Sequence, residues 1–336
     1  MPPGGDMKIS LITPARKQSR TGNRTTAVRW ARILRDLGHR VEVATEYDAT
    51  PADLMIALHA WRSAASIRAF RARHPEHPLI VGMAGTDIYR FQQTDPAVTL
   101  GSMAMANRLV GLHDLVAEAI PEAMRGKLRL IYQSVPPLPH RLPPLRNVFE
   151  VLVIGHLREE KDPLRAALAA CALPETSRIR VVHLGMAHDT QWSDAARAEM
   201  AENPRYRWRG EVPGWAVRRA LARAPLMVLS SIMEGGANVV SEALVAGVPI
   251  LASGIAGSIG LLGRDYAGYF PVGDTQKLSA LLHRAETDPA FLDALRQHCA
   301  ARAPLFAPER ERDAWQALLH EVSDAARLVP VDRSAA

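Results

Sequence analysis

The sequence predicts an α/β protein of two doubly wound, Rossmann-like domains, and three observations predict it. Short apolar runs alternate with longer amphipathic stretches through most of the chain, the pattern of parallel βα units. Near the middle, Pro136-Pro-Leu-Pro-His-Arg-Leu-Pro-Pro144 breaks that alternation and can be neither helix nor central strand. The length, 336 residues, is more than one compact core usually holds. The expected division is an N-terminal domain over 7–135, a stiff linker over 136–147, a C-terminal domain over 148–307 and a last helix over 308–330 that returns to the first domain.

Lys8-Ile-Ser-Leu-Ile-Thr13 reads as the first strand. A loop runs on to Asn23, and a helix from Thr25 to Leu37 stops at Gly38, where a helix-terminating glycine belongs. Val41 to Ala44, Leu54 to Leu58, Leu79 to Val81, Leu109 to Gly111 and Leu128 to Tyr132 supply the other strands of the first domain. In the second, strand-like segments run from Val151 to Ile154, Ile179 to Leu184, Leu226 to Ser230 and Pro249 to Ala252, with helical patterns over Ala216 to Ala222 and Pro308 to Leu328. Sheets of this kind take their ligands beyond the carboxyl ends of the strands.

Composition removes several classes of function. The 48% hydrophobic and 23% charged content is ordinary for a globular protein, and no apolar run is long enough to cross a bilayer. No charged and apolar pair of segments precedes a signal cleavage site. Cys171 and Cys299 lie far apart without a metal-ligand spacing, so a reducing, cytoplasmic location without a structural metal is expected. A formal charge of +6 invites a polyanion partner, yet the arginines are dispersed and only five lysines occur, so nucleic acid is not expected. One concentration stands out: Arg16, Lys17, Arg20 and Arg24, all in or beside the loop after the first strand. No Gly-x-Gly-x-x-Gly follows a predicted strand, which sets aside a dinucleotide-dependent dehydrogenase; Walker, Gly-x-Ser-x-Gly and His-Glu-x-x-His strings are absent as well.

The chemistry concentrates in Glu234-Gly-Gly-Ala-Asn-Val-Val-Ser-Glu242, directly after the apolar run Pro225 to Ser231. Buried strand, tight loop and helix would bring the backbone amides of Gly235, Gly236, Ala237 and Asn238 to a helix N-terminus able to take phosphate. Carboxylates accept hydrogen bonds but repel phosphate, so Glu234 and Glu242 suit the hydroxyls that flank a diphosphate, a sugar on one side and a ribose on the other. A nucleotide sugar has that layout. The competing reading of such a pair is a solvated helix face.

Several strings together resemble the GT-B glycosyltransferases of the family-4 type. Glu242-Ala-Leu-Val-Ala-Gly-Val-Pro249 continues that family's Glu-x7-Glu helix, and Gly155-His-Leu-Arg-Glu-Glu-Lys161 is similar to its Gly-Arg-Leu-x-x-x-Lys phosphate loop. Leu37-Gly-His-Arg-Val-Glu-Val43 looks like the end of its first helix entering the second strand. The resemblance implies two Rossmann-like domains across a cleft, a UDP-sugar as co-substrate and no other cofactor. It implies Glu234, Arg158 and Lys161 in catalysis, the two cations neutralising charge on the departing diphosphate in place of a metal. Arg158 and Lys161 are expected to project to one side of a helix-like turn. Glu242 is assigned to the ribose, two turns into its helix, and Glu234 to the donor sugar. Donor binding is shared with Gly22, Asn23 and His156, the last standing where the family has arginine. Gly210 and Val212 lie in the string that resembles the base-reading loop.

Gly85-Thr86-Asp87 resembles the family's Gly-Thr-Asp, with Ala84 in place of the histidine that often precedes it. An alcohol acceptor needs a base near the attacking oxygen; a nucleophile already ionised at pH 7 does not. Thr21-Gly-Asn-Arg-Thr-Thr-Ala27 and Leu58-His-Ala-Trp-Arg-Ser63 further resemble the selenosugar synthases of selenoneine biosynthesis. Those enzymes join UDP-glucose or UDP-N-acetylglucosamine to selenophosphate through a selenium–carbon bond. On that resemblance Arg16, Lys17, Arg20, Arg24, His59, Arg62, Thr86 and Asp87 bind the acceptor. An ordinary O-glycosyltransferase, a UDP-sugar epimerase of the same fold and a non-enzymatic nucleotide-sugar sensor stay open beside it.

Overall fold

The computed structural model describes residues 6–19 and 21–327; Arg20 and the expected helix end Leu328 lie outside the described residues. The chain forms two compact units, one running up to Gln133 and resuming at Pro308, the other spanning Ser134–Ala307.

In the first unit six parallel strands, β1 (Lys8–Ile12), β2 (Arg40–Ala44), β3 (Leu54–Leu58), β4 (Leu79–Gly82), β5 (Arg108–Gly111) and β6 (Leu128–Leu130), stand in the order β2-β1-β3-β4-β5-β6. The central strands are apolar on both faces because helices cover both. Leu54, Ile56 and Leu58 of β3 enter one core with Trp30, Leu34 and Trp315, whereas Met55 and Ala57 enter the other with Ile67, Phe70 and Met103. This is the two-residue period of a strand read on two buried faces.

The first helix begins at Gly22, not Thr25, and its first turn absorbs Gly22 and Asn23, so these two do not form the flexible loop expected of them. The last helix, Pro308–Arg327, belongs to this unit. Its Trp315 meets Trp30 edge to face at 4.7 Å, and the buried Glu311 accepts from Trp30 Nε1 at 3.0 Å and from Arg29 Nε at 3.1 Å. A buried carboxylate is tolerated where a guanidinium and an indole satisfy it.

The second unit repeats the plan with β7 (Phe149–Ile154), β8 (Ile179–Leu184), β9 (Tyr206–Trp208), β10 (Leu226–Leu229), β11 (Ile250–Ser253) and β12 (Tyr269–Phe270) in the order β12-β11-β10-β7-β8-β9. The edge strands β9 and β12 have three and two residues, too short to show a period in sequence. The proline-rich stretch is extended and fastened to the second unit: Arg141 donates to the carbonyls of Leu221, Ala224 and Ala246, and Arg218 to those of Pro136 and Pro137. Among the described residues no helix is long and apolar enough to cross a membrane.

Candidate active site

Strand order reverses between β7 and β10 in the second unit, and between β1 and β3 in the first. Loops leaving the carboxyl ends of such neighbouring strands part to opposite faces and leave a crevice. Most of the sequence-predicted site residues lie at these two places, with Thr86 and Asp87 following the neighbouring β4 and Gly210 and Val212 following the edge strand β9.

In the second unit the loop after β7 is anchored from behind. The Gly155 carbonyl lies 3.0 Å from His183 Nε2, and His183 Nδ1 lies 3.0 Å from the Tyr206 hydroxyl. Burial pushes the His183 pKa down to about 4, so the ring is neutral at pH 7. A neutral imidazole has one N–H; a carbonyl can only accept, so Nε2–H donates to Gly155 and Nδ1 accepts from Tyr206. With that carbonyl tied to the His183 side, the planar trans peptide sends the His156 N–H the opposite way. Gly185, at φ +155°, makes the close approach possible: a Cβ there would stand 1.9 Å from the Gly155 oxygen. Gly185 also donates its N–H to the Gly210 carbonyl at 2.8 Å and accepts Trp208 Nε1–H at 2.7 Å. The loops after β7, β8 and β9 are thereby stitched together, and Gly210 and Val212 follow in the connection to the helix Gly214–Arg223.

The short 3-10 turn Glu159–Lys161 is clamped onto the end of β10. Ile232 N–H donates to the Glu160 carbonyl at 2.9 Å, and Ser230 Oγ to the Asp162 carbonyl at 2.8 Å. That clamp carries Lys161 to Glu234, where the ammonium and the carboxylate form a salt bridge, and Ser231 Oγ donates to the same carboxylate oxygen at 2.6 Å. Gly257 crosses directly behind, since a Cβ there would fall 2.2 Å from the Glu234 carbonyl oxygen. Arg158 departs from expectation. Its backbone is extended, and its guanidinium turns to Glu160 at 3.8 Å, so it does not share a helical face with Lys161. A small depression opens here, lined by Gly155, His156, Lys161, His183, Ser230 and Ser231 among others.

Gly235, Gly236 and Ala237 lead into the helix Asn238–Val245, with Ala237 extended as its cap. Glu242 is the fifth residue of that helix, one turn in and not two, and half-buried. Among the described residues no group of three or more His, Cys, Asp or Glu could hold a metal ion.

In the first unit Arg16 and Lys17 are exposed in the loop after β1 and Arg24 is half-buried in the first turn of the helix Gly22–Asp36. None of the three forms an ion pair among the described residues. The loop after β3 supplies His59 and Arg62, and the loop after β4 supplies Thr86 and Asp87. His59 and Asp87 are 1% and 0% exposed, whereas Arg62 is exposed and Thr86 half-buried. A π-helical turn, Asp87–Phe91, follows, and its Tyr89 hydroxyl lies 3.1 Å from Nε2 of the buried His113. Burial lowers the His113 pKa to about 4.

Sequence reasoning missed His183, Tyr206, Ser230, Ser231, Gly185 and Gly257 as parts of the site. The one available signal was a histidine following Val181-Val182 near the end of β8; its partner became visible only when register set it beside Val153, two residues before Gly155.

Residues 142–305, nearly all of the second unit, match the family model described as glycosyl transferases group 1. Among solved structures, HepE of Anabaena in complex with UDP is similar at 15% identity, covering 94% of this chain and 100% of that one with a TM-score of 0.74. The same protein with UDP-glucose matches at 14% and 0.73, over 94% and 100% of the two chains. Sucrose-phosphate synthase of Thermosynechococcus elongatus matches at 16% identity over 95% of this chain and 99% of that chain, with a TM-score of 0.76. The family match is confined to the second unit, and the likeness across both units gives the fold as GT-B, with two Rossmann-like domains.

Proposed function

We propose that this glycosyltransferase moves a sugar, glucose or N-acetylglucosamine, from its UDP ester to selenophosphate. In the step, a selenium lone pair forms the Se–C bond at the anomeric carbon while the C–O bond to UDP breaks and its electron pair leaves on the diphosphate. The observation that carries the reading is the unequal charge pairing of the two switch points. In the second unit Lys161, Glu234 and Ser231 form a closed polar set beside the loop that ends β7. In the first, Arg16, Lys17 and Arg24 stand without carboxylate partners among the described residues, as suits a multiply charged acceptor.

Lys161 and Arg158 neutralise the diphosphate, Glu234 meets the donor sugar and Glu242 the ribose, while the backbone around Gly210 and Val212 meets the base. Ala84 stands where a base for an alcohol would be, and an ionised selenium needs none. The structures solved with UDP and UDP-glucose support the donor class by likeness of fold.

The test is mass spectrometry of the full chain with selenophosphate and a panel of UDP-sugars, with and without EDTA. A product bearing the selenium isotope pattern, formed equally after chelation, is expected. Faster turnover with simple alcohols would turn the reading into an ordinary O-glycosyltransferase. UDP-sugar interconversion without an acceptor would indicate an epimerase, and binding without consumption a sensor.

A further inference from the structure

The sequence groups His59, Arg62, Thr86 and Asp87 as acceptor ligands; the structure divides them into two that can touch a ligand and two that cannot. Asp87 is wholly buried and its carboxylate is consumed by backbone amides: Gly85 at 2.7 Å, Ala60 at 2.9 Å, Ala84 at 3.0 Å and Ile88 at 3.1 Å. Ala60 belongs to the loop after β3 and the other three to the loop after β4 and its π-helical turn, so Asp87 bolts the two loops together.

His59 is equally inaccessible and sits at φ +74°, a left-handed backbone that a histidine adopts at a cost in strain. Its Nδ1 accepts the Arg62 backbone N–H at 3.1 Å, which places the ring proton on Nε2, 2.8 Å from Thr86 Oγ1. Desolvation lowers the pKa of this ring against the opposing pull of Asp87, 3.9 Å away, and keeps it neutral. The Thr86 oxygen therefore accepts from His59, and its own proton is turned elsewhere. Among the described residues that hydroxyl has no other side-chain hydrogen bond.

Arg62 is presented by the same device. Its amide is held by His59, and its guanidinium lies 6.0 Å over the Phe91 ring. Phe91 stacks on Trp61 at 4.0 Å, and Trp61 Nε1 is fixed by Asp95 at 2.7 Å. The aromatic shelf restricts a side chain that would otherwise sample many rotamers.

We infer that the Thr86 hydroxyl and the Arg62 guanidinium bind a phosphate-type oxyanion on the first unit, with His59 and Asp87 as positioning residues that do not touch it. A hydroxyl committed to donating and a planar cation on a rigid support both favour acceptor oxygens. The inference rests on the proposed function only in naming selenophosphate as that oxyanion.

The test measures binding of thiophosphate, a stable analogue, to the full chain by calorimetry with UDP present, together with steady-state constants for selenophosphate and the UDP-sugar. Thr86→Val and Arg62→Gln should each weaken thiophosphate about tenfold or more and raise the acceptor KM to match, with the UDP-sugar KM within about twofold. Thr86→Ser should stay near wild type. His59→Phe, which removes the Nε2–H, should behave like Thr86→Val, and His59→Gln, whose amide can donate in its place, should recover much of the affinity. A merely structural role for His59 would lower the melting midpoint without this split between acceptor and donor constants. If His59→Phe does not fold, the contrast between Thr86→Val and Thr86→Ser decides. Unchanged thiophosphate affinity in Thr86→Val, or a wild-type chain that binds UDP but no phosphate-type anion, overturns the inference. Thr86-dependent thiophosphate binding without selenosugar formation would sink the selenosugar reading and leave this site standing.

Discussion

The two units place their functional residues at the same point of the same kind of sheet and treat charge in opposite ways. At the switch point of the second unit, cations meet anions: Lys161 with Glu234, Arg165 with Asp162 at 2.8 Å, and Arg158 within 3.8 Å of Glu160. At that of the first, Arg16, Lys17, Arg24 and Arg62 have no ion-pair partner among the described residues, and the nearby buried acid Asp87 spends itself on backbone amides. A paired site is already organised, so it suits a ligand offering both phosphate charge and hydroxyls. An unpaired, solvated one attracts anions at range and depends on the ligand to complete it.

The sharpest way to break this contrast is to dissect the pair in the second unit. Lys161→Ala should depress kcat by about 10²–10³, the size of loss seen when one fixed donor to developing negative charge is removed. Glu234→Ala should depress turnover more than UDP affinity. Because the two side chains bond each other, the double variant should be little worse than the worse single one, a coupling that independent residues would not show. Simple additivity in that cycle would mean the pair does not act as a unit.

How much was legible in the sequence follows the same divide. The strands at the centre of each sheet were readable because burial on both faces makes them continuous apolar runs, as in Leu54-Met-Ile-Ala-Leu58. The residues from Gly155 to Lys161 and from Glu234 to Glu242 were readable because each set lies within one loop and helix start, where sequence distance and spatial distance agree. The Lys161 to Glu234 contact crosses 73 positions and was not. The first unit was harder. His59 and Thr86 stand 27 positions apart and meet only through the order of β3 and β4, while Asp87 reads in sequence as a ligand-facing acid and is in fact a buried bolt. Gly22 and Asn23 were misplaced because two poor helix formers open the helix directly behind its N-cap Thr21.

Beneath their different charges the units share a scaffold device, a buried neutral histidine, and acid should reveal it in both. His113 in the first unit and His183 in the second have pKa values lowered to about 4 by burial, from an ordinary 6.5. Above pH 6.5 neither the folded nor the unfolded chain carries a proton there. As pH falls below 6.5 the unfolded chain gains one that the folded ring refuses, so stability is lost down to about pH 4 and then levels off. Each histidine accounts for about 3 kcal/mol over that window. Urea midpoints measured at pH 7.0, 5.5 and 4.5 should fall steadily. His113→Phe and His183→Phe should each flatten part of the slope, and an undiminished slope in the double variant would refute the assignment.

The smallest effect belongs to the exposed cations of the first unit, and its salt dependence is what identifies it. Arg16 and Lys17 are solvated, so their attraction for an anionic acceptor works through water and is screened beyond roughly 10 Å at 0.1 M salt. Replacing both by Gln should lower kcat/KM for selenophosphate by about tenfold or less at low ionic strength, an energy of at most about 1.4 kcal/mol, and leave the UDP-sugar constants alone. At 0.5 M salt the variant and the wild type should converge, because the charges removed are those that salt had already masked. The Lys161→Ala deficit, arising in a half-buried ion pair, should persist at the same salt. If the two deficits respond to salt alike, the distinction between an organised site and a solvated one fails for this protein.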